Sequence, residues 1–141
     1  MNWKKRFLLG IIGGTGYVGL ELVWRGRSHW SMFLAGGACF LLIGHLGELR
    51  KPAQLPFQIL WSAGIITMVE LAAGLLINRS YAVWDYRSMP GNFLGQICLP
   101  YCLLWLPVSL LALKSYHYLS QKLRATPHNG ARTFGTSFCS R

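Results

Sequence analysis

Only four carboxylates stand in this chain, against fourteen lysines and arginines, and their settings predict different work. Glu21 is followed four residues on by Arg25, the order that favours an ion pair along a helix. At a helix end such a pair reads as an interfacial one, its long side chains reaching toward water. Glu70 has Ile66, Thr67, Ala73 and Gly74 at i±3 and i±4, none of them basic. Inside an apolar helix an unpaired acid costs about 2.5–3.5 kcal/mol, so it must be protonated, bonded from another helix, or turned to a wet cavity. The small residues beside it predict that it faces other helices, where a hydrogen-bonding role and an ion- or ligand-handling role fit equally. Asp85 lies in NRSYAVWDYRSMPGN, residues 78–92, with Tyr81, Trp84, Tyr86, Arg79 and Arg87. Tyr and Trp favour the headgroup level of a bilayer, so this stretch reads as an interfacial anchor or as a lid over a polar cavity.

Gly14-Thr15-Gly16-Tyr17-Val18-Gly19 spells G-x-G-x-x-G. A dinucleotide turn needs a strand before it and an acid about 20 residues after it. No Asp or Glu lies between Glu21 and Glu48, and the motif opens a long apolar run. Helical spacing instead puts Gly10, Gly13, Gly14, Tyr17 and Glu21 on one face. Gly10 and Gly14 form a small-xxx-small pair, so the glycines are expected to make a groove for a neighbouring helix. Cys98 and Cys102 are four apart but no His joins them, which argues against a metal site. His45 reads as an interface residue at a helix end. No P-loop lysine motif, G-x-S-x-G or H-E-x-x-H is present, so neither a cofactor nor a catalytic activity is expected.

The elements that must hold these residues follow from composition. The chain is 52% hydrophobic and 13% charged, about half the charge usual in a soluble domain. The expected fold class is all-α: a polytopic transmembrane four-helix bundle with spans at 7–24, 31–46, 57–77 and 93–113. A spanning helix needs about 20 residues. The second segment is short and must thin the bilayer or borrow flanking residues; the alternative is three spans and a re-entrant segment. The lysines and arginine that precede the first run resemble a signal peptide, but with no clean cleavage site the first helix is expected to be retained. In the fourth segment Pro100 cannot donate to the carbonyl of Gln96, nor Pro107 to that of Leu103. A proline-kinked fourth helix is expected, with Asn92 as its N-cap, and with freed carbonyls and the Gln96 amide lining a cavity. Residues 1–113 form the membrane domain and 114–141 a basic tail, in which KSYHYLSQKLR reads as an amphipathic helix on the inner leaflet and the rest as disordered.

Ten of the fourteen basic residues fall in segments 1–6, 47–56 and 114–141, and four (Arg25, Arg27, Arg79 and Arg87) in the two other loops. The positive-inside rule then puts both ends in the cytoplasm of a plasma (inner) membrane protein. The bases flank membrane segments instead of gathering on a soluble module, so anionic lipid is the expected partner and nucleic acid is not. Glu21, Glu70 and the 78–92 loop all come out toward the outer side.

The stretches RGRSHWSMFLAGGACFLLIG (25–44), VELAAGLLIN (69–78) and VWDYRSMPGNFLGQICLPYCLLW (83–105) resemble the ABC-transporter type IV, or CmpB-like, permease family. The similarity runs from about residue 7 to 113. It carries Arg25, Gly26, His29, Trp30, Glu70, Asn78, Trp84, Asp85, Tyr86, Asn92, Gly95 and Gln96 onto the family pattern; Arg87 departs from it, where a small polar residue is expected. The resemblance implies a permease-like or substrate-binding membrane subunit of a transporter, with a substrate or ion site drawn from Glu21, Arg25, His29, Glu70, Asn78, Trp84, Asp85, Tyr86, Asn92 and Gln96. With no nucleotide-binding motif in the chain, ATP-driven transport implies a separate ATP-binding subunit, and four helices enclose so little volume that a homo-oligomer is also expected. The alternatives are a non-transporting membrane scaffold, whose acids only specify packing, and an intramembrane lipid-modifying enzyme using Glu70 or His29 with Asp85.

Overall fold

The computed structural model describes residues 1–49 and 54–125. Among these residues four helices make up the fold: α1 (Trp3–Arg25), α2 (Trp30–Leu49), α3 (Leu55–Ile77) and α4 (Leu99–Ala125). All four are long and apolar enough to cross a membrane, and few of their side chains are buried inside the bundle. The many outward Leu, Trp and Phe side chains, such as Phe7, Leu60, Leu76 and Leu103, are the faces that lipid would cover.

α1 stops where Gly26 takes a left-handed conformation, φ 69°, and its N–H closes on the Leu22 carbonyl, the helix end that glycine allows without strain. α2 spans 20 residues, longer than the 16 expected, because Trp30 at one end and the Gly47–Leu49 turn at the other continue the helix. The two helices meet through glycine: a side chain on Gly37 would begin 2.7 Å from the Gly10 carbonyl oxygen. Gly14 lies against the Phe33 backbone and ring, Gly13 against Phe40, and Gly36 under Tyr17. The G-x-G-x-x-G stretch is therefore helical throughout.

α3 begins with Pro56 in its first turn, where a missing N–H costs nothing, and ends at Asn78, whose N–H bonds the Gly74 carbonyl. α4 corrects the sequence expectation. It starts at Leu99, not 93, so Pro100 sits in the first turn and only Pro107 is inside the helix. Residues 93–97 form a tight loop closed by an antiparallel bridge between Phe93 and Ile97. The Gln96 carbonyl, expected to be left free, accepts the Trp84 indole N–H at 2.9 Å. Asn92 caps no helix: its amide donates to the Arg87 and Met89 carbonyls at 3.2 and 3.1 Å.

At its other end α4 runs on through KSYHYLSQKLR instead of breaking into a separate surface helix. No Gly or Pro interrupts it there, and Tyr116 packs edge-on to Phe40, ring centroids 5.4 Å apart, beside buried Leu9. Lys5 Nζ donates to the Leu123 carbonyl, and Arg124 pairs with Glu48 at 2.7 Å, so the start of α1 and the end of α4 share one end of the bundle. The remaining tail, and Arg50 and Lys51 of the loop before α3, lie outside the described residues.

Candidate functional site

The loop between α3 and α4 is built around one buried amide. Asn78 Nδ2 donates to the Trp84 carbonyl at 2.6 Å and to Gln96 Oε1 at 3.0 Å, while its Oδ1 accepts the N–H of Val83 at 2.9 Å and of Trp84 at 3.4 Å. Gln96 Nε2 returns a bond to the Asn78 carbonyl at 3.1 Å. Asn78, Trp84 and Gln96 are all buried, and buried polar groups must find partners inside the protein; here they find one another. The Gln96 side chain fits because position 74 is glycine, whose missing side chain would collide with it. Leu94 and Gly95 take positive φ, 53° and 62°, turning the chain so that the Gly95 carbonyl receives the Tyr86 N–H at 3.0 Å.

That turn delivers Tyr86 to Glu70. The phenol donates to Glu70 Oε1 at 3.0 Å, and the Trp105 indole of α4 donates to Oε2 at 3.0 Å. Burial and the adjacent carboxylate hold the Tyr86 phenol well above its ordinary pKa, so it stays a proton donor. Rings continue around the acid: Tyr86 stacks on Tyr101 with centroids 4.7 Å apart, Tyr101 meets Trp105 at 6.2 Å, and Tyr17 of α1 meets Trp105 at 6.2 Å.

Glu21 is buried, 6% exposed, and its carboxylate is engaged by the Arg25 guanidinium and the Ser28 hydroxyl. Burial removes it from the open interfacial setting that the sequence suggested for the pair. His29 Nδ1 lies 2.7 Å from the Ser31 hydroxyl and takes the Ser31 N–H at the start of α2, a capping role. Because α1 packs chiefly on α2 and α3 on α4, space remains between the pairs. A cavity of about 200 Å³ is lined by Glu21, Arg25, Glu70 and a set of aromatic rings. It adjoins a second, almost wholly apolar one of about 390 Å³; Tyr17, Leu20, Met32, Glu70, Trp105 and Val108 wall both.

The structure thus gathers Glu21, Arg25, Glu70, Trp84 and Tyr86 at one cavity. It does not bring Asp85 there. Asp85 is exposed and clasped by Arg87, Nη2 to Oδ2 at 2.7 Å, and these hydrogen bonds hold its carboxyl below the usual value. Arg87 also lies over the Tyr81 ring, 4.3 Å from its centroid. Asn78, Asn92 and Gln96 are consumed in shaping the loop, and His29 in starting α2. Tyr17, Tyr101, Trp105 and Ser28 were not among the expected site residues. Tyr17 shares a helix face with Glu21, and Tyr101 and Trp105 are four apart on α4, so the spacing was visible although the meeting was not. Among the described residues no three His, Cys, Asp or Glu are grouped to hold a metal ion; the Thr67 hydroxyl, 3.7 Å from the Cys102 sulfur, donates to the Ala63 carbonyl at 2.9 Å.

A family model described as "Putative ABC-transporter type IV" matches residues 14–139. The match runs past Lys114, where the resemblance read from the sequence stopped. No curated protein and no solved structure matches the chain.

Proposed function

This multi-pass membrane protein belongs to the ABC-transporter type IV family, and we propose that it is a small permease-like, substrate-binding subunit of a transporter, with its polar cavity toward the outer face. The observation that carries this reading is the setting of Glu70. Of the four acids, Glu21, Glu48 and Asp85 are each paired with an arginine; Glu70 is held by two neutral donors at the wall of a cavity. Ionisable groups inside membrane helices that face a cavity are costly to bury and characteristically mark ion and substrate paths. The chain has no nucleotide-binding motif, so a separate ATP-binding subunit supplies the energy. The basic loops put both ends of the chain on the cytoplasmic side of the plasma (inner) membrane, with anionic lipid around them. A homo-oligomer gives the small bundle its path.

A scaffold role is the second reading. It draws on the same two hydrogen bonds, which tie α3, α4 and the loop together through one carboxylate. Purification in mild detergent from the native host, followed by mass spectrometry, tests the first reading: an ATP-binding subunit in fixed stoichiometry is expected, and recovery of the chain alone would remove the ATP-driven role. Glu70→Gln separates the two readings. Its amide oxygen can still accept from Trp105, and its NH₂ can donate to a Tyr86 hydroxyl that has turned round, since a phenol both donates and accepts. The variant should therefore fold. It should lose transport if Glu70 handles substrate, and behave like the parent if the acid only braces the bundle.

A further inference from the structure

The contents of the smaller cavity say what kind of ligand it takes, an inference that rests on reading that cavity as the substrate site. Its charged wall groups are Glu21, Arg25 and Glu70. Arg25 is bound to Glu21, which leaves the cavity one formal negative charge when Glu70 is ionised. Each Glu70 oxygen accepts one hydrogen bond and, as a carboxylate, can accept another. Tyr17, Tyr86, Tyr101 and Trp105 surround it in a chain of ring contacts, with Trp24 and Trp84 completing the walls. Ring faces attract cations, most strongly where water is excluded. With Glu70 ionised, an anionic ligand would meet a carboxylate that has no ion-pair partner, and a neutral one would leave that charge uncompensated. The adjoining cavity, reached past Tyr17, Glu70 and Trp105, offers apolar walls for an alkyl body.

We propose that the Glu70 cavity binds an organic cation, its ammonium or quaternary ammonium head between Glu70 and the rings of Tyr17, Tyr101 and Trp105, and its apolar body in the neighbouring chamber. Binding involves no covalent step. The head replaces, as counter-charge for Glu70, the arginine that each of the other three acids already has.

The test is a titration of the full-length protein in detergent micelles, followed by tryptophan fluorescence and melting temperature. The probes are choline, hexyltrimethylammonium and 3,3-dimethylbutan-1-ol, the neutral carbon isostere of choline. Saturable binding of both cations is expected, with hexyltrimethylammonium tighter than choline and the neutral isostere at least tenfold weaker than choline. Glu70→Gln should weaken choline at least tenfold. Tyr17→Leu, which removes a ring but neither hydrogen bond of Glu70, should weaken it several-fold and decides the matter if the Gln variant does not fold. No saturable cation binding, equal binding of the isostere, or unchanged affinity in either folded variant would overturn the proposal. Its failure is distinct from failure of the transport reading. A chain that recovers an ATP-binding subunit but binds no cation keeps the transporter and loses this ligand class; one that binds cations but recovers no such subunit does the reverse.

Discussion

Asn78 has two side-chain donors and an oxygen that accepts twice, and the fold uses them all. Replacing it with alanine strands the Val83 N–H, the Trp84 carbonyl and one face of Gln96 inside the protein. A buried polar group left without a partner costs about 1–3 kcal/mol, so Asn78→Ala should destabilise the fold by about 2–4 kcal/mol, read as the shift in an unfolding curve in mixed micelles. Asp85 and Arg87 make the opposite case. Their pair is exposed, and pairs in water contribute little. The sign is nevertheless defined: the folded Asp85 carboxyl titrates below its ordinary value of 3.8, so whatever the pair contributes is present above that value and fades as pH falls through the folded one. A melting temperature for wild type and Arg87→Ser that differs no more at pH 8 than at pH 5 is the expected result. At this scale the sequence was informative about Glu70, since no base stands one turn either side. It offered Tyr86 as a site residue but not as the partner of Glu70, and it was silent on Trp105; the two come from 16 and 35 residues away. Periodicity orders the residues within a helix; it does not say which helix a side chain will meet.

Among elements, the glycine-rich face of α1 gives the sharpest test. A methyl group on Gly14 or Gly37 would press on backbone, the Phe33 and Gly10 carbonyls respectively, and backbone cannot turn aside as a side chain does. One on Gly16 or Gly19 meets nothing within 4 Å. Gly14→Ala and Gly37→Ala should therefore each destabilise by about 1–3 kcal/mol, the usual cost of overpacking. Gly16→Ala and Gly19→Ala should be neutral or stabilising by up to about 1 kcal/mol, through helix propensity. Thermal unfolding of the four variants side by side checks both halves. A dinucleotide turn would not divide its glycines in this way. The elements were legible where composition alone decides them, as in α1 and α3, whose apolar runs outlast any alternative. They were not legible at the start of α4. FLGQIC reads as apolar helix, yet the Gln96 carbonyl is bonded to Trp84 and the Gln96 amide to Asn78; with the backbone held by those distant partners, Pro100 opens the helix instead of breaking it.

The whole molecule has two unlike ends. At one, Lys5 meets the Leu123 carbonyl and Arg124 meets Glu48; at the other, Trp24 of α1 donates to the Tyr101 hydroxyl of α4 at 3.3 Å, close to the loop that carries Tyr86. The start of α1 and the end of α4 therefore leave the bundle on the same side, as an even number of crossings requires. Which side that is depends on the bases, ten of which fall in the sequence segments 1–6, 47–56 and 114–141. The chain's own cysteines allow a direct check. With Cys39, Cys98 and Cys102 changed to serine, Cys139 is the sole thiol, and a membrane-impermeant maleimide should reach it only after the cells are permeabilised. With Cys139 also changed and Ser88→Cys introduced in the loop, the reagent should label intact cells, because Ser88 is exposed. The reverse pattern would turn the protein over and move the Glu70 cavity toward the cytoplasm, so that cations would enter from inside. Labelling of both positions from one side would contradict the four crossings themselves, because three spans separate the loop after α3 from the start of the chain and one separates it from the end, an odd number in each direction.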